Sequence, residues 1–280
     1  MADPDRRFKN SWKRIERAKD HLTAFNSEWE GIFADRSITV VARYDENSGW
    51  FVASTSVPAS TKERIDRNNL ALEIGEYAYQ LRACLDGLIW DAITIQQGGS
   101  EPSSNTNRVE FPVVIEGVTG KFKDCGFLKF PFPDQLKEWL KSIQPSTTVE
   151  PADHPDTRLG AALTDIHNLA RFDRHRRLRI VAAVPTKLLW GIASHLKARI
   201  VAREYIDTFD LFAGQYEFLR FKFETVDGTQ IREMTLKTEV TIEVLLEDVK
   251  PFPEMDAGSQ LASYIDAIQY IVSRFEETFQ

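Results

Sequence analysis

The sequence predicts an α+β fold: a helical bundle of long amphipathic helices with an N-terminal β-hairpin and a C-terminal antiparallel sheet, closed by a C-terminal helix. Two observations predict it. Apolar residues recur every three or four positions in long segments of the first half of the chain and again at its end. Between these segments, apolar and polar residues alternate strictly in two runs, which is typical of a sheet with one solvated face.

The chain has 280 residues, of which 42% are hydrophobic. This is enough for one large domain or two small ones. Because no regular βαβ pattern and no repeat occurs, we predict a single α+β domain over residues 1–280. The alternative is a division near residue 185, with 1–185 mainly helical and 186–280 forming the sheet and the last helix.

The first half of the chain contains the strongest helical pattern. Residues 8–33 predict a first helix, and 37–57 predict a hairpin, in which two runs rich in Val, Thr and aromatics flank the turn sequence DENSG. The segment from about 62 to 97 predicts a long helix that ends at Gly98-Gly99. Its apolar stripe is Leu70, Ile74, Tyr77, Leu81, Leu85, Leu88, Ala92 and Ile95.

Shorter elements follow. Residues 109–115 predict an edge strand or an irregular strand, because they include Pro112. Residues 132–145 predict a short helix, and Asp156 is placed to cap the next one. The stripe of that helix is Leu159, Leu163, Ile166 and Ala170.

The rest of the chain predicts the sheet and the closing helix. Apolar residues alternate with polar ones around 219–223 and 240–244, with Asp227-Gly228 as the turn between the two strands. Residues 259–279 predict an amphipathic C-terminal helix.

Composition excludes several functional classes. The net charge of −7 argues against a protein that coats nucleic acid over its whole surface, although a local basic patch is compatible with it. Cys84 falls in a helical pattern and predicts a small core residue, and no CxxC motif occurs. The five histidines are scattered, so we expect no metal site and no cofactor. The lack of a long apolar stretch predicts a cytoplasmic protein without a membrane span.

Two helical segments hold candidate site residues. Arg82 and Asp86 lie four residues apart, on one helix face beside the apolar stripe. They form either an ordinary ion pair at the edge of the core or a pair of charges inside a cleft between helices.

The second segment is IHNLARFDRHRRLRIV, residues 166–181, which has five arginines between Arg171 and Arg179. Placed on a helix, it is either a solvated, capped helix end or part of a site. In a site, His175 would act in general acid–base chemistry with Asp173 nearby. The phosphate-binding candidates are Arg171, Arg174 and Arg176.

Four short motifs occur in order over roughly residues 70–180. They are Leu81-Arg82 with Leu85-Asp86, Phe111-Pro112-Val113, Ile143-Gln144-Pro145, and Asn168 with Asp173-Arg174-His175-Arg176. This order resembles a broad group of uncharacterised bacterial proteins with LRxxLD(H)L, FP[IV], QP and N..D[KR]HR motifs. The resemblance implies a bacterial protein with a shared fold, and it implies no activity.

The first motif also distantly resembles the signature of HEPN-type helical ribonucleases, in which an Arg is followed, after four to six residues, by a His. Here Gly87 occupies the fifth position after Arg82, and only three residues separate Arg171 from His175. The resemblance implies a helical domain that cleaves RNA without metal and commonly dimerises.

Three hypotheses follow. The preferred one is a non-catalytic protein with a buried Arg/Asp/His network between helices. The alternative is a HEPN-like metal-independent ribonuclease, or a toxin or defence effector, that uses His175 with Arg82, Arg171 and Arg174. The third is a binding module that holds an unidentified protein partner or a second copy of itself, since the long apolar helices favour homo-oligomers.

Overall fold

The computed structural model of the chain describes residues 7–33, 39–56, 60, 63, 69–100, 109–115, 117–145, 155–175, 180–192, 198–205, 215–225, 236–246 and 257–279. Helices and strands are mixed, so the predicted α+β class is confirmed. The elements are α1 (Lys9–Phe33), β1 (Thr39–Asp45), β2 (Trp50–Ser56), α2 (Leu70–Gln96), α3 (Asp134–Ser142), α4 (Pro155–His175), β3 (Ile180–Ile192), β4 (Ala198–Tyr205), β5 (Gln215–Thr225), β6 (Leu236–Leu246) and α5 (Ala257–Thr278).

The helices share one hydrophobic core, in which α1 and α2 pack antiparallel along most of their length. Ser11 Oγ donates to Cys84 O, and Cys84 Sγ donates to Ser11 O, each over 3.4 Å. Further along, His21 Nδ1 lies 2.8 Å from Glu73 Oε2. Cys84 is a buried core residue as predicted, and burial raises the pKa of its thiol to about 12. No helix in the described part of the chain is long and apolar enough to cross a membrane.

Helix α5 packs against α1, α2 and α4, and two tyrosines set its position. The Tyr77 hydroxyl, which is buried on α2, donates to Leu261 O. The Tyr264 hydroxyl donates to Asp165 Oδ2 on α4 over 2.5 Å and accepts from Gln260 Nε2 over 2.6 Å. These polar contacts inside an apolar interface fix the position of α5 along its axis relative to α2 and α4.

The strands pair differently from the prediction. Strands β1 and β2 pair antiparallel, but they share a four-stranded sheet, in the order β1-β2-β5-β4, with strands from the second half of the chain. The two alternating runs at 219–223 and 240–244 fall in separate sheets, because β6 pairs with β3 instead of β5. The predicted turn at 227–228 lies outside the described residues. Both edges of β5 are occupied, one by β2 and one by β4, which leaves β6 no place beside it.

An aromatic cluster of its own stabilises the four-stranded sheet. Phe51 on β2 stacks on Phe221 on β5 with ring centroids 5.6 Å apart, and Phe223 meets Phe51 edge-on at 5.5 Å. Phe51 and Phe221 are buried but lie outside the helical core cluster. The division of the chain near residue 185 stays a prediction.

The strand predicted at 109–115 is wrong, because this segment has no strand neighbour among the described residues. Side chains take the place of a neighbouring strand. Val114 N donates to Gln144 Oε1 over 2.9 Å, and Ile115 N donates to Thr119 Oγ1 over 2.8 Å. Pro112 has no N–H to pair, which suits a segment held outside a sheet.

The helix predicted to carry residues 166–181 is shorter than expected. Helix α4 ends at His175, residues 176–179 lie outside the described part, and Ile180 begins β3. The β-branched Ile180 and Val181 favour a strand, and Pro185 is incompatible with a helix interior. The arginine-rich stretch therefore spans a helix end and a strand start.

We predict that Tyr77→Phe destabilises the fold by about 1–3 kcal/mol, because the buried Leu261 carbonyl loses its donor. Urea unfolding at neutral pH measures the change. The matched control is Tyr270→Phe, since Tyr270 is 48% exposed on α5. Equal losses in the two variants would contradict a specific role for the Tyr77 hydroxyl.

Candidate functional site

The Arg82–Asp86 ion pair of α2 forms as its four-residue spacing predicts. Arg82 Nε lies 3.2 Å from Asp86 Oδ2, and Arg82 Nη2 lies 2.8 Å from Asp86 Oδ1. The guanidinium thus binds the carboxylate through two hydrogen bonds. The Arg82 side chain is only 7% exposed, and the Asp86 side chain is 30% exposed. Removing one partner would therefore leave the other charge buried without compensation.

The pair also holds the backbone of Phe111. Arg82 Nη2 donates to Phe111 O over 3.1 Å, while Phe111 N donates to Asp86 Oδ1 over 3.0 Å. One residue of extended chain is therefore bound through both its N–H and its C=O, as it would be in a sheet. Gln144 also binds the backbone of this segment: its side chain accepts a hydrogen bond from Val114 N and donates one to Leu140 O over 2.7 Å.

Burial raises the pKa of Asp86, and the Arg82 charge and the Phe111 N–H only partly offset it. A carboxyl whose pKa is higher in the folded than in the unfolded chain binds more protons when folded. Its contribution to stability therefore falls as pH rises from the unfolded pKa through the folded one. The two hydrogen bonds between Arg82 and Asp86 hold the pair together, although burial disfavours the ionised form of Asp86.

The arginine-rich candidates are not brought to this pair by any described contact. Arg171 is exposed on α4. Asp173, Arg174 and His175 belong to the last turn of α4, but their side chains lie outside the described residues, as does all of Arg176. A different histidine of α4, His167, lines a cavity that Arg82 also lines. It lies eight residues before His175, about 12 Å along the helix.

A larger opening, the α1–α2 groove, lies on the other side of Asp86. Its volume is about 700 Å³. It is lined by Asn10, Ser11, Lys13, Arg14 and Arg17 of α1, by Tyr79, Gln80, Ala83, Asp86, Gly87, Trp90 and Asp91 of α2, and by Val109.

One wall of the groove is cationic. Arg14 Nη1 donates to Gln80 Oε1 over 3.2 Å, which fixes that guanidinium against α2. Lys13 and Arg17 have no acidic partner among the described residues. The sequence reasoning missed them, although their spacing was visible, because positions 10, 13, 14 and 17 share one helix face.

The other wall is aromatic and acidic. Tyr79 is 40% exposed, and Trp90 is half-buried next to Asp91. Burial raises the pKa of Asp91. Gly87 leaves the middle of this wall open, since a Cβ added there would meet nothing within 4 Å. Within the described residues, no group of His, Cys, Asp or Glu is arranged to hold a metal ion.

We predict that Asp86→Asn destabilises the fold by about 2–4 kcal/mol, because it leaves the buried Arg82 charge without its partner. Thermal and urea unfolding measure the loss. The control is Asp134→Asn, in a salt bridge whose carboxylate is 96% exposed, where we expect a change within about 0.5 kcal/mol. A loss at Asp86 as small as the control's would mean that the pair does not support the fold.

Comparisons with known proteins give no information about this site. No protein-family model, curated protein or solved structure matches the chain. The likeness of its motifs to an uncharacterised bacterial group and to HEPN-type domains therefore stays a prediction.

Proposed function

We propose that the chain is a non-catalytic binding protein that holds a phosphate-bearing nucleotide, free or within a short single RNA strand, in the α1–α2 groove. One observation carries the proposal: Lys13 and Arg17 line an open groove of about 700 Å³ and have no acidic partner in the described part of the chain. The proposal assumes a cytoplasmic location, where such ligands occur.

The cationic wall suits phosphate. Arg and Lys side chains make charge-assisted hydrogen bonds to phosphate oxygens, and Arg can do so with two parallel N–H groups. Lys13 and Arg17 lie four residues apart and so point to the same side of α1. With an overall charge of −7, the chain attracts polyanions only where cations are concentrated, as they are here.

The opposite wall suits a base. Aromatic side chains stack on nucleobases with little sequence preference, and each stack contributes about 1–3 kcal/mol. Tyr79 and Trp90 lie eleven residues apart on α2, or about 16 Å along the helix. Asp91, beside Trp90, offers an acceptor for the N–H groups of a base stacked there.

The Arg82–Asp86 pair favours a non-catalytic role. Both Asp86 oxygens accept hydrogen bonds from Arg82, and Oδ1 also accepts from Phe111 N. A general base needs a lone pair directed at the substrate, and three hydrogen bonds within the protein already occupy acceptor positions on the two Asp86 oxygens. The pair therefore serves the packing of helix against loop.

We expect Lys13→Ala with Arg17→Ala to weaken binding of a short fluorescein-labelled RNA at least about tenfold, or 1.4 kcal/mol. The salt dependence of log affinity should also fall by about 1.4, from two lost phosphate contacts of about 0.7 each. Fluorescence anisotropy between low and moderate salt measures both quantities. Competition with unlabelled mononucleotides tells whether one nucleotide suffices.

The matched control removes two cations from the same helix outside the groove, as Lys9→Ala with Lys19→Ala. Neither residue lines the groove, and the net charge change is identical. Equal weakening in both double variants would mean that α1 attracts RNA through its charge alone, and the groove proposal would fail.

The second candidate is a HEPN-like metal-independent ribonuclease or effector that uses His175 with Arg82, Arg171 and Arg174. One observation bears on it: the cavity that Arg82 lines is also lined by a histidine of α4, although that histidine is His167 and not His175. An imidazole can serve as general acid or base and a guanidinium can stabilise phosphate charge in metal-free RNA cleavage, in which the substrate supplies its own 2′-hydroxyl nucleophile.

Incubation of purified protein with RNA in excess chelator separates the two candidates. We expect the RNA to stay intact over hours, as the non-catalytic proposal requires. Cleavage that falls at least about a hundredfold in His175→Ala, with circular dichroism unchanged, would instead establish the ribonuclease. His167→Ala, on the same helix, tells which imidazole acts.

A further inference from the structure

Asp91, in the aromatic and acidic wall of the α1–α2 groove, is a carboxylate with no partner in the described part of the chain. It is half-buried, and burial is the one cause that raises its pKa. The buried side-chain atoms that lack a partner among the described residues are Glu28 Oε2 and Arg82 Nη1, so both Asp91 oxygens keep a surface open to the groove. A half-buried carboxylate needs hydrogen-bond donors, and a ligand in the groove can supply them.

Gly87 leaves the space beside Asp91 and Trp90 empty. Side chains on a helix lean towards its N-terminus, so residues 90 and 91 both extend over position 87, three and four residues earlier. A Cβ at Gly87 would meet nothing within 4 Å, and Val109 adds an apolar side chain to the lining of the same groove. A flat ligand above Gly87 therefore contacts the Trp90 ring and the Asp91 carboxylate together.

The cationic wall begins within reach of this space. Helices α1 and α2 run antiparallel, and the hydrogen bond between Arg14 and Gln80 gives their register. In that register Lys13 lies level with Leu81, which is six residues before Gly87. This separation is about 9 Å along α2. A ribose with its 5′-phosphate spans such a distance, so one nucleotide can place its base above Gly87 and its phosphate beside Lys13.

We propose that the α1–α2 groove binds guanine in preference to the other bases, with Asp91 accepting from its Watson–Crick edge and Trp90 stacking on its face. This inference rests on the proposed function, in which the groove holds a nucleotide. An ionised carboxylate only accepts hydrogen bonds, and guanine is the one common base whose Watson–Crick edge presents two adjacent donors, N1–H and the 2-amino group.

The other bases would each place an acceptor against the Asp91 carboxylate. Adenine and cytosine present one amino group beside a ring nitrogen that accepts. Uracil presents one N–H between two carbonyl oxygens. An acceptor directed at a carboxylate is repelled, and a half-buried carboxylate that is left without donors is unfavourable. Asp91 therefore discriminates by what it rejects as well as by what it binds.

Isothermal titration of the full chain with 5′-nucleotides tests the preference. We expect GMP to bind at least about tenfold more tightly than AMP, CMP or UMP, which is the discrimination of a bidentate base contact. Inosine monophosphate, which lacks only the 2-amino group of GMP, should bind at least about threefold more weakly than GMP. The same comparison is made by fluorescence anisotropy with short uridine RNAs that carry guanosine, inosine, adenosine or cytidine at one position, so a site that needs a strand is tested as well.

The two ligand forms separate failure of this inference from failure of the proposed function. Equal affinity for all bases, in the nucleotides and in the RNAs, overturns the guanine preference alone. Absence of saturable binding in both forms overturns the preference together with the proposed function.

Matched variants locate the preference in Asp91. Asp91→Asn replaces one acceptor with a donor and should bring the affinities for GMP, AMP and inosine monophosphate within about threefold of one another. Asp134→Asn, the same change at an exposed carboxylate that does not line the groove, should leave the preference unchanged. The Lys13→Ala with Arg17→Ala variant should weaken all nucleotides alike, because it removes phosphate contacts. A guanine preference that survives Asp91→Asn contradicts the assigned contact.

Discussion

The buried guanidinium of Arg82 is the contact on which the arrangement of the helical layer depends. Arg82 pairs with Asp86 on the same helix and binds the carbonyl of Phe111, whose segment pairs with no strand in the described part of the chain. Phe111 is itself fully buried in the helical core, so the position of its ring follows from the bonds to its backbone. A buried charge is tolerable only when paired and hydrogen-bonded, and Asp86 supplies the pairing.

Other side chains bind the backbone of residues 113–115 in the way that a neighbouring strand would. Gln144, just beyond α3, binds Val114 while it caps Leu140, so α3 is attached to the same segment. Thr119 closes the turn by accepting from Ile115 N and donating to Val113 O over 3.0 Å. Three of the four sequence motifs therefore meet in space for a structural reason. Arg82 and Asp86 of LRxxLD bind the backbone of Phe111 in FPV, and Gln144 of QP binds the backbone of Val114 directly after it.

The helices could be predicted from sequence because their apolar period reports burial directly, and α1, α2, α3 and α5 occur where the period places them. The pairing of the strands could not be predicted from the sequence. Alternation at 219–223 tells which face is buried, but one neighbour of β5 is β2, whose Phe51 lies opposite Phe221, 170 residues away in the chain. The Arg82–Asp86 pair was predictable from its spacing, whereas its bond to Phe111 has no local pattern. Lys13 and Arg17 had a visible pattern, which the denser arginines of 171–179 obscured.

The ion pair also lies between the two openings, since Asp86 lines the groove and Arg82 lines the smaller cavity. The two charges partly compensate each other, because the Arg82 charge lowers the pKa of a carboxyl that burial raises. A single pair that holds the backbone of Phe111 therefore also lines two openings that share no lining residue.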